Sequence, residues 1–533
     1  MTEPQARADS SEAPVGALEP LRERVFATLW VATVLGNTGS FMRDVASSWM
    51  ATDLSANPAA VAAVQAAAAL PVFLFAIPAG VLSDILDRRR FLIAVQILLA
   101  AVSAMLMLLS ANASLRLESL LALTFIGGLG AALMGPAWLS IVPTLVSGRQ
   151  LRAAVALNSL GVNISRAIGP AAGGALLAAF GAAVTYGVDL LSYALVISAL
   201  LWWRPSPTAP DPLAEQFIGA LQAGLRFTLA QTALHRVLLR AAVFFASASA
   251  AWALLPLVAR QLLQGSAGFY GLMLGAVGLG AILGALALPR LRHVLAPDGL
   301  MLLAALLSAA VLATLAMRPP QGLALLMLLV LGLAWIVALT TLNALTQSIL
   351  PDWVRGRGLS VYLTVFNGAL AAGSLGWGAV AQALGLPATL LLAAVVLALS
   401  AVVMRRWPLP SGEVSLAASQ HWPAPPGASE LALQRGPVLV QVEYQVLPAD
   451  RAAFVDVLNS LSIQRRSDGA SAWGVYEDSA NPQRLVECFW VSSWAEHLRQ
   501  HQRVSQASAV LQGRVWQLHQ GPNPPKVCHL ISL

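Results

Sequence analysis

The sequence predicts an all-α membrane protein of twelve transmembrane helices in two six-helix bundles, followed by a small α+β domain with a ferredoxin-like order of elements. Three observations lead there. Only 11% of the 533 residues are charged while 57% are hydrophobic, and the mean hydropathy is +0.71. Twelve apolar runs are long enough to cross a bilayer. After Arg406 the composition turns polar and strand-like alternation begins.

Soluble domains carry roughly 25% charged residues, so lipid is the solvent that suits this chain. Its Gly and Pro are scattered through the apolar runs, as membrane helices tolerate. Cys488 and Cys528, the only cysteines, make no disulfide framework, and no Cys/His cluster has metal-ligand spacing. No metal or cofactor is expected. Residues 1–24 lack the layout of a cleavable signal peptide and read as a disordered cytoplasmic tail.

The apolar runs fall at 25–51, 59–83, 91–110, 118–146, 153–179, 183–203, 237–262, 268–288, 299–317, 322–349, 358–383 and 387–404. They divide the chain into a first bundle (25–203), a central cytoplasmic loop (204–236), a second bundle (237–405), a linker (406–436) and a soluble domain (437–533). Within the loop, 213–229 reads as an amphipathic helix at the membrane interface. Arginines mark one set of connections: Arg88, Arg89, Arg90, Arg149, Arg152, Arg290, Arg292, Arg355, Arg357, Arg405 and Arg406 among them. The alternate set carries little more than Arg116 and Arg318. Cytoplasmic loops retain Lys and Arg, so both ends of the chain are expected inside an inner (plasma) membrane. The net charge of +7 is then mostly a topology signal, and nucleic acid is not an expected partner.

The chain repeats itself. Residues 143–151 and 351–359 both read P-x-x-V-x-G-R-x-L, and the turn 80–88 has a weaker echo at 284–292. Two parallel halves explain this, with a substrate site between them near the midplane.

The turn 80–93 packs Asp84, Asp87 and three arginines between two apolar runs. One reading is topology alone, a basic turn that holds two helices inside-down. The other is a latch, in which Gly80 admits a neighbouring helix and Asp84 pairs across the half interface. The turn resembles the G-x-L-a-D-r-x-G-r-[RK] signature of the major facilitator superfamily, with Gly80, Leu82, Asp84, Arg88, Arg89 and Arg90 near the expected places. Asp87 stands where that signature has its second Gly. The resemblance covers about residues 20–405 and implies alternating access through a cytoplasmic gate built on Gly80, Asp84, Arg88 and Arg89. In the fifth run, Gly169-Pro170-x-x-Gly173-Gly174 resembles the antiporter motif of exporters in this superfamily, which implies export. Such exporters often carry an arginine in the fourth span tied to proton coupling. Thr124 replaces it here, so coupling would be arranged differently or the protein is not a simple proton antiporter.

Ionisable groups inside a membrane are costly and mark function by default. Arg43 and Asp44 lie in the first run, Arg166 in the fifth and Asp189 in the sixth. All four are candidates for transport or coupling. Against this, Asp44 could simply neutralise Arg43 or Arg166, Arg166 could belong to a purely structural pair, and Asp189 could snorkel to the outer interface or make a local hydrogen bond. Asn37, Gln65, Asn158, Asn163, Asn343, Gln347 and Asn367, with Trp252 and Trp335 to stack on a flat ligand, suit an amphipathic organic substrate. Any one of them could equally be packing or interhelical hydrogen bonding.

The tail reads βαββαβ: a strand at 438–446, a helix from 448 to 461, strands at 471–477 and 484–492, a helix at 494–503 and a strand at 527–532. It resembles the small dimeric domain of antibiotic-biosynthesis monooxygenases. Its pairing with a twelve-span domain looks like the transmembrane secretion effector subfamily, the enterobactin-exporter-like group. His497 and His501 share a helix face without a third metal ligand evident. The expected function is proton-coupled export of a small amphipathic compound, such as a siderophore, drug or metabolite, by a transporter that is not itself an enzyme. The expected partners are that small molecule, the lipid bilayer and the proton, with dimerisation through the tail as a candidate. The alternative is a bifunctional protein whose tail is an enzyme or a ligand-binding or regulatory module. No nucleotide-binding G-x-x-x-x-G-K-[ST] loop is present.

Overall fold

In the computed structural model, which describes residues 16–204, 227–229, 231–351, 354–410, 435–503 and 506–532, eleven helices are long and apolar enough to cross a membrane. The first five are α1 (Arg24–Leu54), α2 (Pro58–Ile85), α3 (Arg88–Ala111), α4 (Leu117–Leu145) and α5 (Leu151–Trp202). The next six are α6 (Thr232–Leu257), α7 (Ala267–Val294), α8 (Pro297–Ala316), α9 (Gln321–Ile349), α10 (Arg355–Leu384) and α11 (Leu386–Val403). The helix expected at 213–229 falls largely outside the described residues.

α5 takes up two of the expected runs. At 52 residues it would be about 78 Å long if straight, far more than a bilayer core of ~30 Å. It breaks at Gly181, whose φ of 81° and ψ of 176° are open to glycine and strained for other residues. The parts on either side pass α1 in opposite directions. Gly161, Gly169 and Gly173 meet Val34, Phe41 and Met42 in ascending order, whereas Val196 meets Gly36 and Ser192 meets Gly39 in descending order. The chain therefore reverses at Gly181.

The packing repeats. In the first half α2 and α3 pack on α4, and α1 lies against both parts of α5. In the second half α7 and α8 pack on α9, while α6 lies against α10 and α11. The halves meet where α2 packs on α10 and α5 on α7. At the second seam small residues face each other, Gly271 against Gly174 and Gly278 against Ala167. A Cβ on Gly174 would stand 2.5 Å from Gly271 Cα, so this approach requires glycine.

Two boundaries differ from expectation. Glu19–Arg22, expected to be disordered, forms a 3-10 turn with Pro20 buried, and Glu19 accepts a hydrogen bond from Gln150 at 3.3 Å. The linker, expected from 406, stays pinned to the bundle through Leu409. Its N–H donates to Asp298 at 3.0 Å, and the same carboxylate pairs with the buried Arg240.

The tail holds four antiparallel strands in the order β2-β3-β1-β4: β1 (Val438–Gln445), β2 (Ser471–Asp478), β3 (Asn481–Val491) and β4 (Lys526–Ile531). α12 (Arg451–Ser467) and α13 (Trp494–Arg503) were expected. α14 (Gln506–Gln517) is an extra helix, and its polar, low-amphipathicity sequence gave little periodicity to read.

Candidate functional site

The first-half charges gather around α1. Arg43 donates to Tyr193 Oη at 2.8 Å and lies 3.5 Å from Asp189 Oδ2 through the same nitrogen. Its other terminal nitrogen meets Asp44 at 3.2 Å. Ser103 of α3 donates to Asp189 Oδ2 at 2.6 Å, and Ser40 shares a hydrogen bond with Tyr193 at 2.9 Å. The Asp189 side chain is fully buried, that of Arg43 is 11% exposed, and that of Asp44 is 59% exposed. Asp189 Oδ1 has no hydrogen-bond partner among the described residues. Sequence position allowed Asp189 to snorkel; instead it points into the bundle.

Local sequence builds this cluster. Gly39 lets the second part of α5 come close, since a Cβ there would stand 2.3 Å from Ser192 Oγ and 2.9 Å from Asp189 Oδ1. Asp189 and Tyr193 are four residues apart and share a helix face. The Arg43 guanidinium lies over Gly127 of α4, 3.8 Å from where a Cβ would stand. It thus approaches the fourth-span stretch in which Thr124 replaces the expected arginine. Tyr193, Ser103 and Ser40 escaped the sequence reading. The four-residue spacing of Asp189 and Tyr193 was the one available signal.

Arg166 stays apart from this cluster. It is half-buried, and its backbone carbonyl lies against Gly278 of α7 at the seam between halves. The glycines of the antiporter-like motif are packing surfaces: Gly169 against Phe41, Gly173 against Met42, Gly174 against Gly271. Pro170 places its carbonyl against Gly271.

At the inner turn, Gly80 faces Ser360 of α10, whose hydroxyl lies 3.3 Å from a Cβ built on the glycine. This is a contact between halves. The Asp84 side chain lies outside the described residues. Asp87 caps α3 by accepting from Arg90 N–H at 2.8 Å, which gives a local reason for an Asp in place of the signature's Gly. Arg89 donates to the carbonyls of Leu200 and Leu201, both at 2.7 Å, and so closes the end of α5. Arg88 is exposed.

Trp252 and Trp335 stack on each other, edge to face at 5.1 Å, within an aromatic cluster that includes Phe245 and Phe366. They pack against each other in the second-half core. Several polar residues bond locally: Asn163 to Ser159 O, Gln347 to Asn343, and Asn367 to Leu363 O.

The tail has its own buried charge. Glu487 of β3 accepts from Trp473 at 2.9 Å, Arg465 at 3.3 Å and Tyr444 at 3.1 Å, so both carboxylate oxygens are matched. Burial and this carboxylate push the Tyr444 hydroxyl well above its usual range. His497 and His501 face each other through Nε2 at 3.3 Å, with the His529 ring 4.6 Å from that of His497. Burial, then His529 and His501, push His497 down to about 3. Burial, then His529 and Arg465, push His501 down to about 4. Among the described residues no group of three or more His, Cys, Asp or Glu is arranged to hold a metal ion.

Residues 15–533 match the family described as transmembrane secretion effector. The chain is 32% identical over 304 residues to the enterobactin exporter EntS of Salmonella typhimurium, covering 56% of this chain and 72% of the relative. The corresponding exporter of Shigella boydii is also 32% identical, with 56% and 71% covered. The fold is similar to that of the nucleoside transporter NupG, with a TM-score of 0.56, 13% identity, 72% of this chain and 100% of that chain. It is also similar to a bacterial homologue of the human lysosomal transporter Spinster, with a TM-score of 0.56, 16% identity, 72% of this chain and 96% of that chain. The chain belongs to the transmembrane secretion effector family of major facilitator transporters and is a multi-pass membrane transporter.

Proposed function

We propose that this member of the family is a proton-coupled antiporter that exports a small amphipathic organic compound by alternating access. Counting the two parts of α5 separately supports twelve spans, and the arginine-rich connections favour both termini on the cytoplasmic side of an inner membrane. The matched relatives are named as enterobactin exporters, which supports a siderophore as the first candidate substrate, beside drugs and metabolites. The GP-x-x-GG stretch at the seam between α5 and α7 fits two halves that rock against each other.

The carrying observation is Asp189, a fully buried carboxylate with one oxygen unmatched among the described residues, tied to Arg43 and Ser103. A proton placed on Oδ1 neutralises Asp189 and loosens its hold on Arg43. The guanidinium is then available to Asp44 or to an acceptor group of the substrate. Asp44, more than half exposed, is the accessible member of the set, and Arg166 is a second cation for an anionic compound. On the cytoplasmic side Gly80, Asp84, Arg88 and Arg89 form the gate turn, with Gly80 against Ser360 as the contact that parts.

The tail has the strand order of a ferredoxin-like domain, and we assign it to assembly of a dimer or to binding of the exported compound. An enzymatic tail remains the second reading, favoured by the resemblance to monooxygenase domains. Inverted vesicles with an acid-inside gradient test the main proposal. Addition of one siderophore or drug should collapse the gradient in the full chain, whereas no response to a broad panel would defeat proton antiport. Removing residues 407–533 separates the roles of the tail: retained transport would leave it outside the transport cycle.

A further inference from the structure

We infer that Arg260 is the outer gate of this transporter, clasping the end of α1 to the end of α6 and parting when the outer side opens. This rests on the alternating-access reading above and adds residues to it at the face opposite the Gly80 turn.

α1 ends at Leu54, and α6 runs into a π-helical turn, Val258–Leu262. Arg260 of that turn donates to Thr52 Oγ1 at 2.9 Å and pairs with Asp53. Its guanidinium also stands over the Trp49 ring at 5.6 Å, and Trp49 stacks on Tyr270 of α7 at 5.9 Å. Five side chains from both halves therefore meet at one end of the bundle. On the proposed topology that end faces away from the cytoplasm. An ordinary α-turn would rotate Arg260 elsewhere; a π-turn inserts a residue and re-aims it, and such turns concentrate at functional sites. The turn is braced by Leu263 N–H to Val258 O at 3.0 Å and by Gln321 of α9 to Leu263 O at 3.1 Å.

The strength of the clasp suits a gate. The Arg260 and Asp53 side chains are 40% and 38% exposed, so water can replace their pairing at little cost when the ends separate. The Arg43–Asp189 pair is far less exposed, at 11% and 0%, so water replaces it at a higher cost. Arg43 and Asp53 lie on one helix, ten residues or about 15 Å apart. A shift of α1 that accompanies protonation of Asp189 therefore reaches the clasp directly.

The test needs neither substrate nor gradient. In the full chain with Cys488→Ser and Cys528→Ser, Ala267→Cys places a thiol at the outer part of the α5–α7 seam, where Ala267 is buried against Gly174. Labelling by a membrane-impermeant maleimide, applied from outside to intact cells, reads opening. Arg260→Ala should raise the labelling rate about threefold to tenfold, the range for an exposed ion pair with a cation–π contact, and Asp53→Asn, which removes the ion pair alone, about twofold to fivefold. The swap Asp53→Arg with Arg260→Asp should return the rate toward that of the parent. Asp53→Asn is nearly isosteric and half-exposed, so it tests the clasp even if Arg260→Ala folds poorly. Unchanged labelling in Asp53→Asn, or a swap as leaky as the single variants, would overturn the gate. Failure of the export reading would appear instead as absent gradient collapse, whatever the labelling result.

Discussion

Two buried carboxylates, each beside an arginine, sit in different solvents. Glu487 in the tail receives Trp473, Arg465 and Tyr444, so both oxygens are matched. Asp189 in the first bundle receives Ser103 and a longer contact from Arg43, and Oδ1 stays unmatched among the described residues. The arginines differ as well. Arg465 is almost fully buried, while Arg43 is shared with the more exposed Asp44. A saturated pair fixes a fold, because every change of charge leaves a buried group without a partner. An unsaturated pair has a second state within reach. The difference separates a structural network from a candidate switch.

The largest expected effect tests the saturated side. Glu487→Gln removes the buried negative charge on which Trp473, Arg465 and Tyr444 converge and should destabilise the tail by about 3–5 kcal/mol. Hydrogen exchange over 438–531 should show the loss, and protection equal to wild type would make the network incidental. Gly174→Ala loads a contact between the halves rather than a charge. Its Cβ meets the backbone of Gly271, and the melting temperature of the detergent-solubilised protein should fall by the equivalent of about 1–3 kcal/mol. A melting temperature matching wild type would show that the seam has room to yield.

Acid probes the tail more gently. His497 and His501, held at about 3 and about 4, refuse protons that the unfolded chain accepts near 6.5. The unfolded state then binds more protons, so stability rises with pH across that window. The contribution is complete above about 6.5 and is lost as pH falls toward 4. His529 and Arg465 share the surroundings of these rings. Exchange protection of α13 should therefore weaken from pH 7.5 to pH 5, and His497→Gln should flatten the dependence. Asp44→Asn gives the smallest change, a loss of transport under about threefold, as suits an exposed pair.

Much of the membrane part was legible because hydropathy is a local signal. The runs at 153–179 and 183–203 correspond to the two parts of α5, and the break between them falls at Gly181. The Gly80 turn could be read because charge is rare in its surroundings. The environment of Asp189 could not, because Ser103 lies 86 residues away and enters only through packing of α3 on α5. Arg260 and Asp53 were passed over because charges at the ends of apolar runs are ordinary; their pairing depends on a π-turn that leaves no periodic mark. In the tail, alternation revealed the strands, while the third histidine, His529, arrives through the pairing of β4 with β1.

The most direct measurement compares Asp189→Asn with Asp44→Asn in inverted vesicles that hold an acid-inside gradient, with a siderophore as the added compound. Asn preserves the shape and the Ser103 hydrogen bond but carries no titratable proton. Asp189→Asn should fold and insert normally yet lose at least about tenfold of the gradient-collapsing activity, or ~1.4 kcal/mol, while Asp44→Asn keeps most of it. Full coupling in Asp189→Asn would contradict the assignment of this carboxylate as the proton switch.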